Sequence, residues 1–153
     1  MNIHRMYVLD TCAIISYFKN IFNDDKEIST EIHNEISLAL QNYRNQSSPV
    51  RLIIPSMAFI EIRDKWCISD EIRERIRYEV FIPFAQSGNI HICPFEDNIV
   101  KRALYLDKFD YSFDNHDRYF IATAIEYACP LITSDTEIKK YQRHCLENLE
   151  ILW

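Results

Sequence analysis

Four carboxylates stand apart from the other acids among this chain's 23 acidic residues. Asp10 closes the run "MYVL" and leads into a second apolar run, "TCAIISYF". Glu61 interrupts "MAFIEI", whose other five residues are apolar. Asp117 heads a stripe in which Phe120, Ile121, Ala124, Ile125 and Ala128 recur with helical spacing, so it starts an apolar face rather than a solvated one. Asp135 follows "LITS". A carboxylate in such a setting needs a cation, hydrogen-bond donors or a proton. Two carboxylates brought within roughly 4 Å repel by about 4 kcal/mol at an effective dielectric near 20. A cluster of four therefore calls for a divalent ion or a retained proton. Oxygen donors favour the hard ions Mg²⁺ or Mn²⁺, and such ions serve phosphoryl chemistry by activating water and stabilising charge on oxygen.

Each acid also has a plainer reading. Asp10 could cap the helix that begins at Thr11. Asp135 could answer the dipole of a helix for which Ser134 supplies the cap. Asp114, one turn before Asp117, could cap that helix or join the site. Glu61 could form a modest i,i+4 pair with Lys65. The remaining acids are ordinary: Glu71, Glu74 and Glu79 alternate with Arg73, Arg75 and Arg77 along a solvated helix.

The elements that would position these acids follow from periodicity. Short apolar runs at 6–9, 51–54, 90–93, 131–133 and 149–152 read as strands. Ile28, Ile32, Ile36 and Leu40 mark one face of a helix over about 25–43, its start rich in Asp24, Asp25, Glu27 and Glu31. Ile72, Ile76 and Val80 mark another, ending at Pro83. Further helices are predicted over 97–108, with Val100, Leu104 and Ala103 inward, over 116–128, and from a Ser134–Glu137 capping box through about 145. Strands alternating with helices predict an α/β fold: a three-layer α/β/α sandwich around a mostly parallel central sheet of about five strands. The length suits one domain over residues 1–153.

Composition removes several functions. Gly88 is the only glycine, so neither a dinucleotide fingerprint nor a phosphate-binding glycine loop is present. No G-x-S-x-G elbow exists. A net charge of −6 argues against a basic DNA-reading face, although an acidic nuclease pocket remains compatible with it. Five scattered cysteines predict free thiols in a reducing compartment, and the His91/Cys93 and His144/Cys145 neighbours lack the usual zinc spacing. No signal peptide or membrane span is predicted, which points to a soluble cytoplasmic protein. A receiver domain would want an acidic pair at the first strand, and "YVLDT" offers one acid.

The order of acids resembles that of the PIN-domain nucleases, especially the VapC-like toxin type. "YVLDTCAII" supplies Asp10 with Thr11 beside it, "IPSMAFIEI" supplies Glu61, and "NHDRYFIATAIEYACPLITSDTEI" supplies Asp117 and Asp135. The likeness runs through nearly the whole chain, with a longer link at 19–50 and a more acidic charge than the compact toxins have. It implies a metal-dependent endoribonuclease. Asp10, Glu61, Asp117 and Asp135 would bind Mg²⁺ or Mn²⁺ and carry catalysis, with Asp114 and Thr11 as accessories. Arg118, with Arg73, Arg75 and Arg77 behind it, would contact RNA. A cognate antitoxin and a homodimer are the implied partners. The competing expectation is a non-catalytic PIN-like protein-interaction module.

Overall fold

The computed structural model describes residues 4–41, 48–106, 114–145 and 147–153. Five strands form one sheet: β1 (Arg5–Leu9), β2 (Val50–Pro55), β3 (Ile90–Cys93), β4 (Leu131–Ile132) and β5 (Ile151–Leu152). Every pairing is parallel, in the order β3-β2-β1-β4-β5. The central strands are buried on both faces, which is why they read as continuous apolar runs; Val8, Leu9, Leu52, Ile54, Leu131 and Ile132 have no exposed surface.

The chain builds outward from β1 to β3, then crosses back to β4 and β5. With right-handed crossovers, the connections up to β3 cover one face and those after it cover the other. The first group holds α1 (Thr11–Tyr17), α2 (Lys19–Phe22), α3 (Thr30–Gln41), α4 (Met57–Trp66), α5 (Asp70–Arg75), a π-helical segment (Ile76–Phe81) and α6 (Ile82–Gln86). The second holds α7 (Asp97–Tyr105), α8 (Asn115–Glu126) and α9 (Thr136–Gln142). The result is the three-layer α/β/α sandwich expected from the sequence. Strand order reverses between β1 and β4, and the carboxyl ends of those two strands carry Asp10 and Asp135. Open parallel sheets bind ligands at such a crevice.

Several boundaries differ from the periodicity reading. The long helix begins at Thr30, because Ser29 accepts from the Ile32 N–H and caps it; the acids at 24–27 precede it. Its expected end at 42–43 lies outside the described residues. Pro83 does not stop the helical path. The preceding segment widens to π geometry, which accommodates a ring that would otherwise strike the carbonyl four residues back, and the path continues to Gln86. In α7 the buried residues are Ile99 and Ala103, whereas Leu104 is exposed; the inward stripe is shifted by one position. Residues 107–108 are outside the described residues. Helix α8 ends at Glu126, and Ala128 adopts φ 49°, a left-handed conformation that breaks the helix.

A carboxylate cluster at the carboxyl end of the sheet

Asp10 follows β1 directly and is buried. Its backbone carbonyl accepts the first bond of α1, from the Ala13 N–H, but its side chain makes no capping bond. The carboxylate turns instead toward β4: Thr133 Oγ1 donates to Asp10 Oδ2 at 2.5 Å and the Cys12 thiol donates at 3.3 Å. Burial nevertheless dominates and pushes the Asp10 carboxyl up to about 6. Thr133 has no exposed surface, and its oxygen also accepts the Asp135 N–H at 3.0 Å. One hydroxyl thus ties the two strand-end acids together.

Asp135, not Ser134, caps α9. Its Oδ1 accepts from the Glu137 and Ile138 N–H groups at 2.7 and 3.0 Å. The Ser134–Glu137 box expected from sequence does not form, because β4 ends at Ile132 and the turn places Asp135 at the cap position. One Asp135 oxygen serves the helix, and its charge still reaches Asp117.

Asp117 forms a capping box with Asp114. The Asp117 N–H donates to Asp114 Oδ1 at 2.9 Å, and the Asp114 N–H donates to Asp117 Oδ2 at 3.3 Å. Burial pushes Asp117 up to about 7, with Asp114, Asp135 and Asp10 adding repulsion in that order. Burial also acts on Asp114, but the Asp117 N–H and His116 outweigh it and hold Asp114 below the usual range.

Glu61 lies one turn into α4 and is buried. The Thr11 hydroxyl donates to its Oε2 at 2.6 Å, and Lys65 Nζ donates to its Oε1 at 2.5 Å. The i,i+4 pair weighed from sequence is therefore present, with its Glu61 end buried and its Lys65 end half exposed. Lys65 is held charged by its bond to Glu61 and by the nearby Asp114 and Asp117. Ser56 occupies the α4 cap position without a side-chain capping bond.

The fold thus gathers Asp10, Glu61, Asp114, Asp117 and Asp135 into one interacting set, with Thr11 and Lys65 as partners. Residues that sequence reasoning missed are Thr133, Cys12 and His116. The signal for Thr133 was its place between the strand and Asp135; for His116 it was its position next to Asp117. Glu61, Asp114 and His116 each bring one ligand atom within 4.8 Å of the others. The donor chemistry fits a hard divalent cation: carboxylate oxygens predominate, and burial and mutual repulsion raise the Asp10 and Asp117 carboxyls.

The expected RNA-contacting arginines lie in different settings. Arg118 is in the first turn of α8, where its guanidinium donates to Asn115 at 3.1 Å. Arg73 pairs with Asp70, Arg75 with Glu79, and Arg77 stacks over Tyr78. Arg73 and Arg77 line a groove of about 570 Å³ with Phe59, Ile62, Ile76 and Phe81, which none of the clustered acids lines.

With this geometry in place, comparison with known proteins identifies the family. Residues 7–144 match the PIN domain family, and the chain belongs to it. The fold is shared with FitAcB from Neisseria gonorrhoeae (TM-score 0.62, 16% identity, 97% of each chain covered). It is shared equally with VapBC2 from Rickettsia felis bound to a promoter DNA fragment (TM-score 0.62, 16% identity, 97% of this chain and 99% of that one). VapBC-5 from Mycobacterium tuberculosis, a toxin-antitoxin family member, aligns at TM-score 0.58 and 15% identity, covering 96% and 97%. A search of curated proteins by sequence found no match.

Proposed function

We propose that this chain, acting as one domain over residues 1–153, is a metal-dependent endoribonuclease that hydrolyses RNA phosphodiester bonds, the toxin of a toxin-antitoxin pair. The observation that carries the proposal is the convergence of Asp10, Asp117 and Asp135 at the strand-order reversal of a PIN domain. PIN domains are typically nucleases. Asp10, Asp117 and Asp135 would hold Mg²⁺ or Mn²⁺, with Glu61 completing the set. When bound, the ion supplies charge neutralisation for the phosphate and a lowered pKa for the attacking water.

The chain's own groups prepare the site. Thr133 aims the Asp10 carboxylate, and Thr11 and Lys65 fix both oxygens of Glu61. Asp114 holds the backbone of the first α8 turn so that Asp117 faces its fellow acids. Burial and the neighbouring acids raise the Asp117 carboxyl to about 7, a cost that a bound divalent ion would offset. Arg118 in the same turn is the side chain proposed to meet the RNA backbone.

VapBC-5, named above, is a member of a family of toxin-antitoxin systems, which supports an antitoxin as partner; a homodimer is proposed with it. Among the described residues no helix is long and apolar enough to cross a membrane, and a cytoplasmic location is proposed. The test is hydrolysis of RNA by the purified chain with Mn²⁺, beside Asp10→Asn and Asp117→Asn. Loss of turnover in both variants is expected, and wild-type turnover in both would overturn the assignment. The Lys65–Glu61 pair, a cation already inside the cluster, is the one observation that favours a non-catalytic binding module. Absence of both hydrolysis and calorimetric Mn²⁺ binding would favour that alternative.

A further inference from the structure

A second set of metal-capable side chains lies at the outer edge of the sheet. His91 and Cys93 are two residues apart on β3, so strand alternation turns both to the same face. Glu96 follows at the cap position of α7, where its carboxylate makes no capping bond. One ligand atom from each of the three lies within 4.8 Å of the others. Cys93 Sγ is 3.9 Å from Glu96 Oε1 and 3.7 Å from the Tyr127 hydroxyl, which donates to Glu96 Oε1 at 3.3 Å. In a tetrahedral zinc site with bonds of about 2.0–2.3 Å, neighbouring donors are about 3.3–3.8 Å apart. From a separation of at most 4.8 Å, these donors need to close by about 1.5 Å or less to reach that spacing.

We propose that His91, Cys93 and Glu96 form a binding site for a borderline divalent cation of the Zn²⁺ class, with water or the Tyr127 hydroxyl in the fourth position. Imidazole and thiolate donors select such an ion over Mg²⁺, which separates this site chemically from the carboxylate cluster. Binding forms the sulfur–metal bond as the Cys93 thiol releases its proton to solvent, one proton per ion. His91 and Tyr127 also line a groove of about 600 Å³ with Met6, Arg51 and Ile53, which borders the three side chains on one side. The ligands come from β3 and from the residue that opens α7, so the ion ties the edge strand to a helix. The H-x-C-x-x-E spacing escapes the usual zinc patterns because a strand repeat, rather than a turn, sets its first interval. This site goes beyond the hydrolytic reading and does not depend on it.

The test uses the full chain, stripped with chelator and then held in a large excess of Mg²⁺ to saturate the carboxylate cluster. Titration with Co²⁺ is expected to give thiolate charge-transfer absorption and intense visible d–d bands at one equivalent, both displaced by Zn²⁺. Cys93→Ser should abolish the charge-transfer band. His91→Ala and Glu96→Gln, both at exposed positions that the fold tolerates, should weaken Zn²⁺ binding at least about tenfold. Cys12→Ser, at the thiol beside the carboxylate cluster, should leave the spectrum intact. Absence of a thiolate band, or a band that survives Cys93→Ser, would overturn the site. Neither result bears on RNA hydrolysis, so the two assignments fail separately.

Discussion

Asp10 and Glu79 are both carboxylates with a close donor, yet their proton affinities move in opposite directions. Asp10 is buried between strand ends and is pushed up to about 6, although a hydroxyl and a thiol donate to it. Glu79 is exposed on the π-helical segment and is held below its ordinary range by the Arg75 guanidinium. Neutral donors inside do not replace lost water, whereas a full charge outside needs to offset very little. The ionisable group is the same; solvent and neighbour decide which acid holds its proton more tightly. The cluster around Asp117 therefore contains repulsion between like charges, whereas at Glu79 the opposite charge of Arg75 dominates.

The sharpest way to break this contrast is Asp117→Asn. RNA hydrolysis should fall by about a hundredfold or more, the scale expected when a preorganised charged group is lost. Turnover assays with Mn²⁺ check this, and near-wild-type rates would remove Asp117 from the machinery.

The next effect is on stability against pH without divalent ions. Folded Asp10 and Asp117 titrate at about 6 and about 7, above their ordinary 3.8. Between about pH 4 and 7 the folded chain therefore holds protons that the unfolded chain has lost, and stability falls as pH rises through that window. The Asp10 share at neutral pH is on the order of 3 kcal/mol. Urea unfolding with chelator should show this decline in the wild type and a shallower one in Asp10→Asn. Added Mn²⁺ should restore stability at the high-pH end.

Thr133→Val tests the hydroxyl that links both strand-end acids. It should cost about 1–3 kcal/mol, because Asp10 loses a buried donor and the Asp135 N–H loses its acceptor. Unfolding at pH 5 measures it. At the other end of the scale, Arg75→Gln in the exposed pair with Glu79 should leave the thermal midpoint unchanged, and a clear drop would mean that the outer charges matter more than their exposure implies.

The sheet was legible because its strands are short apolar runs with few competing readings, as in "RLII" and "IHIC". Asp10 and Asp117 were legible because each sits at the seam of an apolar pattern. What escaped depends on where an element stops. Ser134 and Asp135 are both good caps, and only the end of β4 at Ile132 chooses between them. Leu104 and Ile99 are both apolar on α7, and packing against α8 sets the phase. Thr133 and His116 had only adjacency to an acid as a signal, and their roles became clear when β4 and α8 were set beside Asp10 and Glu61. Sequence spacing has no access to that juxtaposition.

The Lys65 ammonium on Glu61 has a consequence for how the proposed nuclease would respond to its surroundings. A tethered ammonium in the acid cluster is a permanent rival at fixed local concentration, and any incoming ion must displace it or share with it. The concentration of free divalent ion needed for half-occupancy of the proposed site is raised accordingly, which would make the nuclease sensitive to the supply of that ion. Lys65→Met should move that concentration downward, with tighter Mn²⁺ binding in calorimetry.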